Sequence, residues 1–141
     1  MEATGERTGG VMDRQIIQRI LSGARALQEK VVAWRRDFHE HPELGFHEQR
    51  TAGIVADAIE KMGYRVRRKV GGMGVTGDLD VPGANGRILL RADMDALPLP
   101  DLTGDPFASK NPGLCHACGH DAHTAMLLGA AHLLMEMRKE L

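Results

Sequence analysis

The order of periodicities along this 141-residue chain predicts an α/β fold. Three observations carry that expectation. Two stretches of apolar residues at helical spacing fill the first half. Short alternating or continuous apolar runs follow, as strands would give. After a long segment broken by prolines comes another helical stretch. Helices laid on a few strands make a layered α/β arrangement, here expected to be the first part of a larger one, because the chain ends in or just after a helix with no closing strand.

The first helix is read from Ile16, Ile20, Ala24, Leu27, Val31, Trp34 and Phe38, which advance in steps of three and four and so lie on one face. Ser22-Gly23 is a candidate break. Pro42 disfavours a helical His41, so the helix should stop near Glu40. The second helix fits Glu48 to Met62, burying Ala52, Val55, Ala58, Ile59 and Met62, with Gly63 as its stop. In "YRVRRKV" the alternation of Tyr64, Val66, Arg68 and Val70 predicts a half-buried strand. "GVTGDLDV" is a second strand, weakened by Gly77, and "PGANG" is a turn. The continuous run Ile88 to Leu90 reads as a buried central strand. Pro98, Pro100, Pro106 and Pro112 mark an irregular segment. "TAMLLGAAHLLMEMRKEL" is then a helix with Leu127, Leu128, Ala131 and Leu134 on one face. The first 11 residues, polar and glycine-rich, are expected to be disordered, and residues 12–141 to form one unit.

Composition narrows the functional classes. The formal net charge is −1, with 43% apolar and 26% charged residues, normal for a globular protein. No basic excess points to nucleic acid, no apolar stretch is long enough to span a bilayer, and the polar N-terminus lacks the apolar centre of a signal peptide. The expected compartment is the reducing cytoplasm, where a close cysteine pair means metal or catalysis more often than a disulfide.

Both cysteines and three of the seven histidines fall in "CHACGHDAH", Cys115 to His123. Haem attachment would need a histidine after Cys118, where Gly119 stands. Cys115-His-Ala-Cys118 is a literal C-x-x-C before a helix, which keeps a redox module open, although a proline-rich loop rather than a strand precedes it. A structural zinc site would need a second pair of donors. A catalytic metal site fits best. In an extended segment His116, Cys118 and His120 would share a face, Gly119 would let the backbone curl around an ion, Asp121 would cap the following helix, and the helix N-terminus would favour a thiolate at Cys118. A thiolate with an imidazole suits zinc or a similar transition metal.

"RADMDALP" places Arg91, Asp93 and Asp95 on one face at the carboxyl end of the predicted central strand, where open α/β sheets bind ligands. A carboxylate there either binds metal or orients a ligand histidine; the alternative is that Arg91 and the aspartates pair with one another. In "FHEHPELGFHE", His39 and Glu43 bracket the proline stop, and a helix end tied down by polar contacts is a better reading than metal binding.

"WRRDFHEHPELGFHE", "RADMDALP" and "NPGLCHACGHDAHTAMLLGAA" occur in this order in the M20 metallopeptidase family. From about Trp34 to the last helix the chain resembles that family's amidohydrolase branch, which includes hippurate hydrolases, N-acyl-amino-acid amidohydrolases and auxin-conjugate hydrolases. The resemblance implies the N-terminal part of a three-layer catalytic domain that cleaves the amide of an N-acyl amino acid or small peptide with two divalent ions, whether zinc, manganese, cobalt or nickel. It implies Cys118 and His120 as metal ligands and Asp95 as a supporting acidic residue. Asp93 stands where other branches carry a histidine ligand and is not assigned to metal. The resemblance also implies a homodimeric full-length protein and a glutamate general base with further ligands downstream of the region matched, so these 141 residues are expected to carry at most a partial site and no activity alone. Position 115, commonly methionine in the family, is Cys115 here. The alternative to an amidohydrolase is a metal-binding or C-x-x-C redox module.

Overall fold

The computed structural model describes residues 14–141; the segment expected to be disordered lies outside the described residues. Three helices and one hairpin make up the regular structure: α1 (Arg14–Glu40), α2 (Gln49–Met62), β1 (Arg65–Val70), β2 (Gly74–Asp78) and α3 (His120–Glu136). The mixed helix-and-strand class is as expected.

The two N-terminal helices form where their periodicity puts them. α1 runs unbroken through Ser22-Gly23, which corrects the expected break. Gly23 serves packing instead: a Cβ there would lie 2.6 Å from Leu133 Cδ2 on α3, so the missing side chain lets the helices approach. α1 ends at Glu40, as Pro42 requires. α2 begins under Glu43, whose two carboxylate oxygens accept the Arg50 and Thr51 backbone N–H groups at 2.9 and 2.8 Å. That satisfies orphan donors at a helix start, where negative charge is also favoured. At its end Gly63 adopts φ 99° and returns its N–H to the last turn, a left-handed stop that glycine accepts without strain.

β1 and β2 pair antiparallel with Arg65 opposite Asp78 and Arg67 opposite Thr76; the register then slips before Val70–Gly74. Gly77 is no defect, since a Cβ there would lie 2.8 Å from Ile59 Cδ1. There the hairpin comes close against α2. α3 packs across both helices. Phe38, Ile59, Ala125 and Leu128 form the buried centre, flanked by Val31, Trp34, Ile54, Val55, Tyr64 and Val66. The Tyr64 hydroxyl donates to the Ala131 carbonyl at 2.8 Å, tying the hairpin to α3.

The expected central strand at Ile88–Leu90 is overturned. These residues belong to no strand, and Ile88 and Leu89 are 91% and 87% exposed. Apolarity marks a run that could be buried, but burial needs strands on both sides, and the described residues supply none. The chain rejoins the structure at Ala96 and Leu97. Ala96 N–H donates to the Glu43 carbonyl, and Leu97 exchanges two 3.0 Å bonds with Cys115. This small junction draws the end of α1, the "RADMDALP" segment and the cysteine cluster together.

Candidate metal centre

The segment Cys115–His120 is a turn rather than an extended strand. Cys115 is held by its backbone bonds to Leu97, Gly119 N–H donates to the His116 carbonyl at 3.0 Å, and α3 begins at His120. Gly119 is the residue before the helix and takes φ 84°, a left-handed conformation that a residue with a Cβ enters only at a cost. The turn overturns the expectation that His116, Cys118 and His120 share one face. Among the described residues, no three His, Cys, Asp or Glu side chains are grouped as a metal site would require.

Cys118 and His120 do converge, on Asp95. His120 Nδ1 lies 2.9 Å from Asp95 Oδ1 and 3.0 Å from the Asp95 carbonyl oxygen. Both are acceptors, so Nδ1 carries the proton and the Nε2 lone pair is left for another partner. The Cys118 thiol donates to the same Asp95 carbonyl at 3.7 Å. His120 and Cys118 are half-buried, shielded yet reachable. Both cysteines are free thiols, Cys115 buried. Asp93 and Arg91 pair with each other at 2.5 Å, and the Asp93 carbonyl accepts from the Thr124 hydroxyl; the arginine–aspartate pairing foreseen for this segment thus holds for Asp93, while Asp95 turns to His120.

The expected capping role of Asp121 is also corrected. Its side chain makes no cap bond to α3. It is 1% exposed and reaches across to α1, where its Oδ2 receives His39 Nδ1 at 2.6 Å and Arg35 Nε at 2.9 Å. His39 Nε2 faces Asp101 Oδ2 at 3.3 Å. Asp101 in turn accepts from the backbone N–H groups of Ser109 and Thr103 and from the Thr103 hydroxyl, which hold its carboxyl well below the usual carboxylate range. The polar contacts expected of His39 and Glu43 are therefore present, as a three-part clasp and a helix cap. Arg35 was not singled out from sequence; its spacing of four from His39, which puts both on one helix face, is the signal that could have found it. His116 lies beside this clasp, its ring 6.4 Å from that of His39. It is 3% exposed, and neither ring nitrogen has a partner among the described residues. Burial pushes its imidazole below the usual histidine value, with Asp121 pulling the other way and His39 and His120 reinforcing the drop.

Asp95 fits the place of a residue that fixes the ring of a metal-ligating histidine. A thiol that becomes thiolate on binding, with an imidazole Nε2, is a donor pair suited to a borderline-soft divalent ion. These two donors are fewer than the three or four protein ligands that a single zinc ion takes.

Comparison with known proteins agrees with the sequence resemblance. Residues 89–141 match the profile of peptidase family M20/M25/M40. The N-acyl-L-amino acid amidohydrolase of Geobacillus stearothermophilus is 40% identical over 131 residues, covering 92% of this chain and 34% of that protein. A Rhodococcus jostii protein named as a glutamate–cysteine ligase is 51% identical over 107 residues, covering 76% of this chain and 13% of its own length. Two solved structures, each 40% identical, superpose: one named an aminohydrolase of methicillin-resistant Staphylococcus aureus, with a TM-score of 0.84 over 88% of this chain and 33% of that one, and the YXEP protein of Bacillus subtilis, described as a dinuclear metal-binding peptidase from the M20 family, with a TM-score of 0.78 over 83% and 33%. The chain thus spans about a third or less of the proteins it resembles.

Proposed function

We propose that this chain, whose residues 89–141 match peptidase family M20/M25/M40, is a member of that family and supplies part of the metal centre of an amidohydrolase acting on N-acyl amino acids or small peptides. One observation carries the reading: Cys118 and His120, two positions apart with Gly119 between them, converge on Asp95, whose acceptors hold the His120 proton on Nδ1 and leave the Nε2 lone pair for another partner. In this reading Cys118 and His120 are the protein's metal donors and Asp95 holds the His120 ring. Two divalent ions, whose identity among zinc, manganese, cobalt and nickel the donors do not distinguish, would polarise the scissile carbonyl and lower the pKa of water.

The relatives support the substrate class. The Geobacillus protein is named for N-acyl-L-amino acids, and others at 47% and 42% identity are named hippurate hydrolase and N-acetyl-L-cysteine deacetylase. A small N-acylated amino acid is accordingly the proposed partner of the complete site, with no role for nucleic acid or membrane, and with homodimerisation a property of the complete protein. Among the described residues no helix is long and apolar enough to cross a membrane. A cytoplasmic location belongs to the same reading, since a reducing compartment keeps a thiol free to bind metal.

A general base and the remaining donors are not among the groups gathered at Asp95. The 141-residue chain should therefore release no amino acid from N-acetyl or N-benzoyl substrates in the presence of zinc, manganese, cobalt or nickel. Metal-dependent release by the pure chain, followed by a ninhydrin or coupled amino-acid assay, would overturn the proposal that it holds only part of the centre.

A further inference from the structure

One polar cluster remains that the metal donors themselves do not explain: the clasp behind them. Asp121 immediately follows His120 in the first turn of α3. Its buried Oδ2 takes two donors from α1, His39 Nδ1 at 2.6 Å and Arg35 Nε at 2.9 Å. Mere attachment of α3 to α1 does not call for such a clasp. The apolar contacts of Phe38, Ala125 and Leu128 already join these helices, and a buried charged group is commonly neutral or costly beside an apolar replacement. What the clasp does fix is rotation. Consecutive residues in a helix point about 100° apart, so gripping Asp121 sets the direction in which its neighbour His120 projects. The clasp ties Asp121 to α1, while Asp95 holds the neighbouring His120 ring.

We propose that Arg35 and His39 are positioning residues for the Cys118–His120 turn, acting through the Asp121 carboxylate. The inference rests on the reading of Cys118 and His120 as metal donors. It adds that α1, which contributes no donor, sets the geometry in which they are presented. Groups behind metal-ligating histidines typically change metal affinity 10- to 100-fold when removed.

The test uses the whole 141-residue chain in two measurements. Cobalt(II) titration reads the thiolate-to-cobalt absorption band. Nitrogen-15 NMR of the histidine rings reads, without metal, whether His120 keeps its proton on Nδ1 facing Asp95. His39→Ala and Arg35→Met, the latter keeping an apolar stem against Phe107, should each weaken cobalt binding by about tenfold or more and reduce the Nδ1–H form of His120. His39→Gln can still donate to Asp121, and should restore both. A purely structural clasp would lower the unfolding temperature while leaving both readings of the folded protein at wild-type values; that result overturns the proposal. If His39→Ala does not fold, Arg35→Met carries the same two readings with the His39–Asp121 contact intact. If the wild-type chain shows no thiolate-to-cobalt band, the donor assignment of Cys118 fails, and the NMR reading alone still decides whether the clasp orients His120.

Discussion

Cys115 and Cys118 lie three residues apart in different surroundings. Cys115 is buried and fixed to Leu97 through its backbone, whereas Cys118 is half-buried and directs its thiol to the Asp95 carbonyl beside His120. Cys118→Ala should abolish the thiolate-to-cobalt band of the chain, and Cys115→Met, a swap of one buried apolar sulfur group for another, should keep it. Equal loss in both would mean that the cysteines act as a pair, the behaviour of a redox or structural-zinc module. Asp101 gives a pH prediction at the same scale. Its folded carboxyl is harder to protonate than the unfolded one, near 3.9, because Ser109 and Thr103 donate to it. The stability it contributes is fully present well above pH 4 and is lost as pH falls below that value. Asp101→Asn should therefore lower the thermal midpoint at pH 7, and the gap from wild type should narrow as pH falls from about 5 to 3. A gap that stays constant over that range would show that the carboxylate's charge is not what its donors hold.

Where α1 crosses α3, two glycines test what close helix packing costs. A Cβ on Gly129 would meet Val31 Cγ2 at 2.9 Å, and one on Gly23 would meet Leu133 Cδ2 at 2.6 Å. Alanine gains about 1 kcal/mol of helix propensity at either site. Val31 is β-branched and cannot swing aside in a helix, so Gly129→Ala should be net destabilising by about 1 kcal/mol through overpacking. The far end of Leu133 can rotate, so Gly23→Ala should be close to neutral despite the shorter distance. Urea unfolding of both variants checks the order, and a Gly23→Ala loss exceeding that of Gly129→Ala would contradict it. α1 and α2 were legible in the sequence because a 3.6-residue apolar period is a local property, as are the stops at Pro42 and Gly63. The start of α3 was read four residues late. His120–His123 carry the polarity of a loop, and the turn that launches the helix depends on Gly119 at positive φ. Cys118, His120 and Asp95 are named together by the family resemblance; spacing alone implies an extended segment with His116, Cys118 and His120 on one face, and the turn before α3 replaces it. The clasp was not legible, because Arg35 and Asp121 have nothing local in common; only the packing of α1 on α3 brings them together.

Over the whole molecule, the largest departure from expectation is Ile88–Leu90, an apolar run outside any strand. Such a segment is a template for pairing with another chain. Arg87 and Arg91 at its ends are the charged flanks that oppose this association, but Ile88 and Leu89 are almost fully exposed. The chain should self-associate at micromolar concentration in sedimentation velocity. Leu89→Lys should reduce association and leave the helical circular-dichroism signal unchanged, since Leu89 touches none of the buried core. An unchanged sedimentation profile for Leu89→Lys would move the sticky surface elsewhere.

The crossing of α1 and α3 also dictates an order of events in time. The clasp joins residues 82 positions apart, and closing a loop of that length costs about 4 kcal/mol in chain entropy, plus a constant, before any contact offsets it. Phe38 finds Ala125 and Leu128 in the same step that brings Asp121 to His39. A ribosome must therefore deliver the chain through α3 before this interior can close. Until then α2 has the hairpin to lean on while α1 lacks its main packing partner, and the turn that presents Cys118 and His120 has no foundation. Interior and donor turn are born together, so a nascent chain has no window in which it could seize an ion in native geometry while still unfolded.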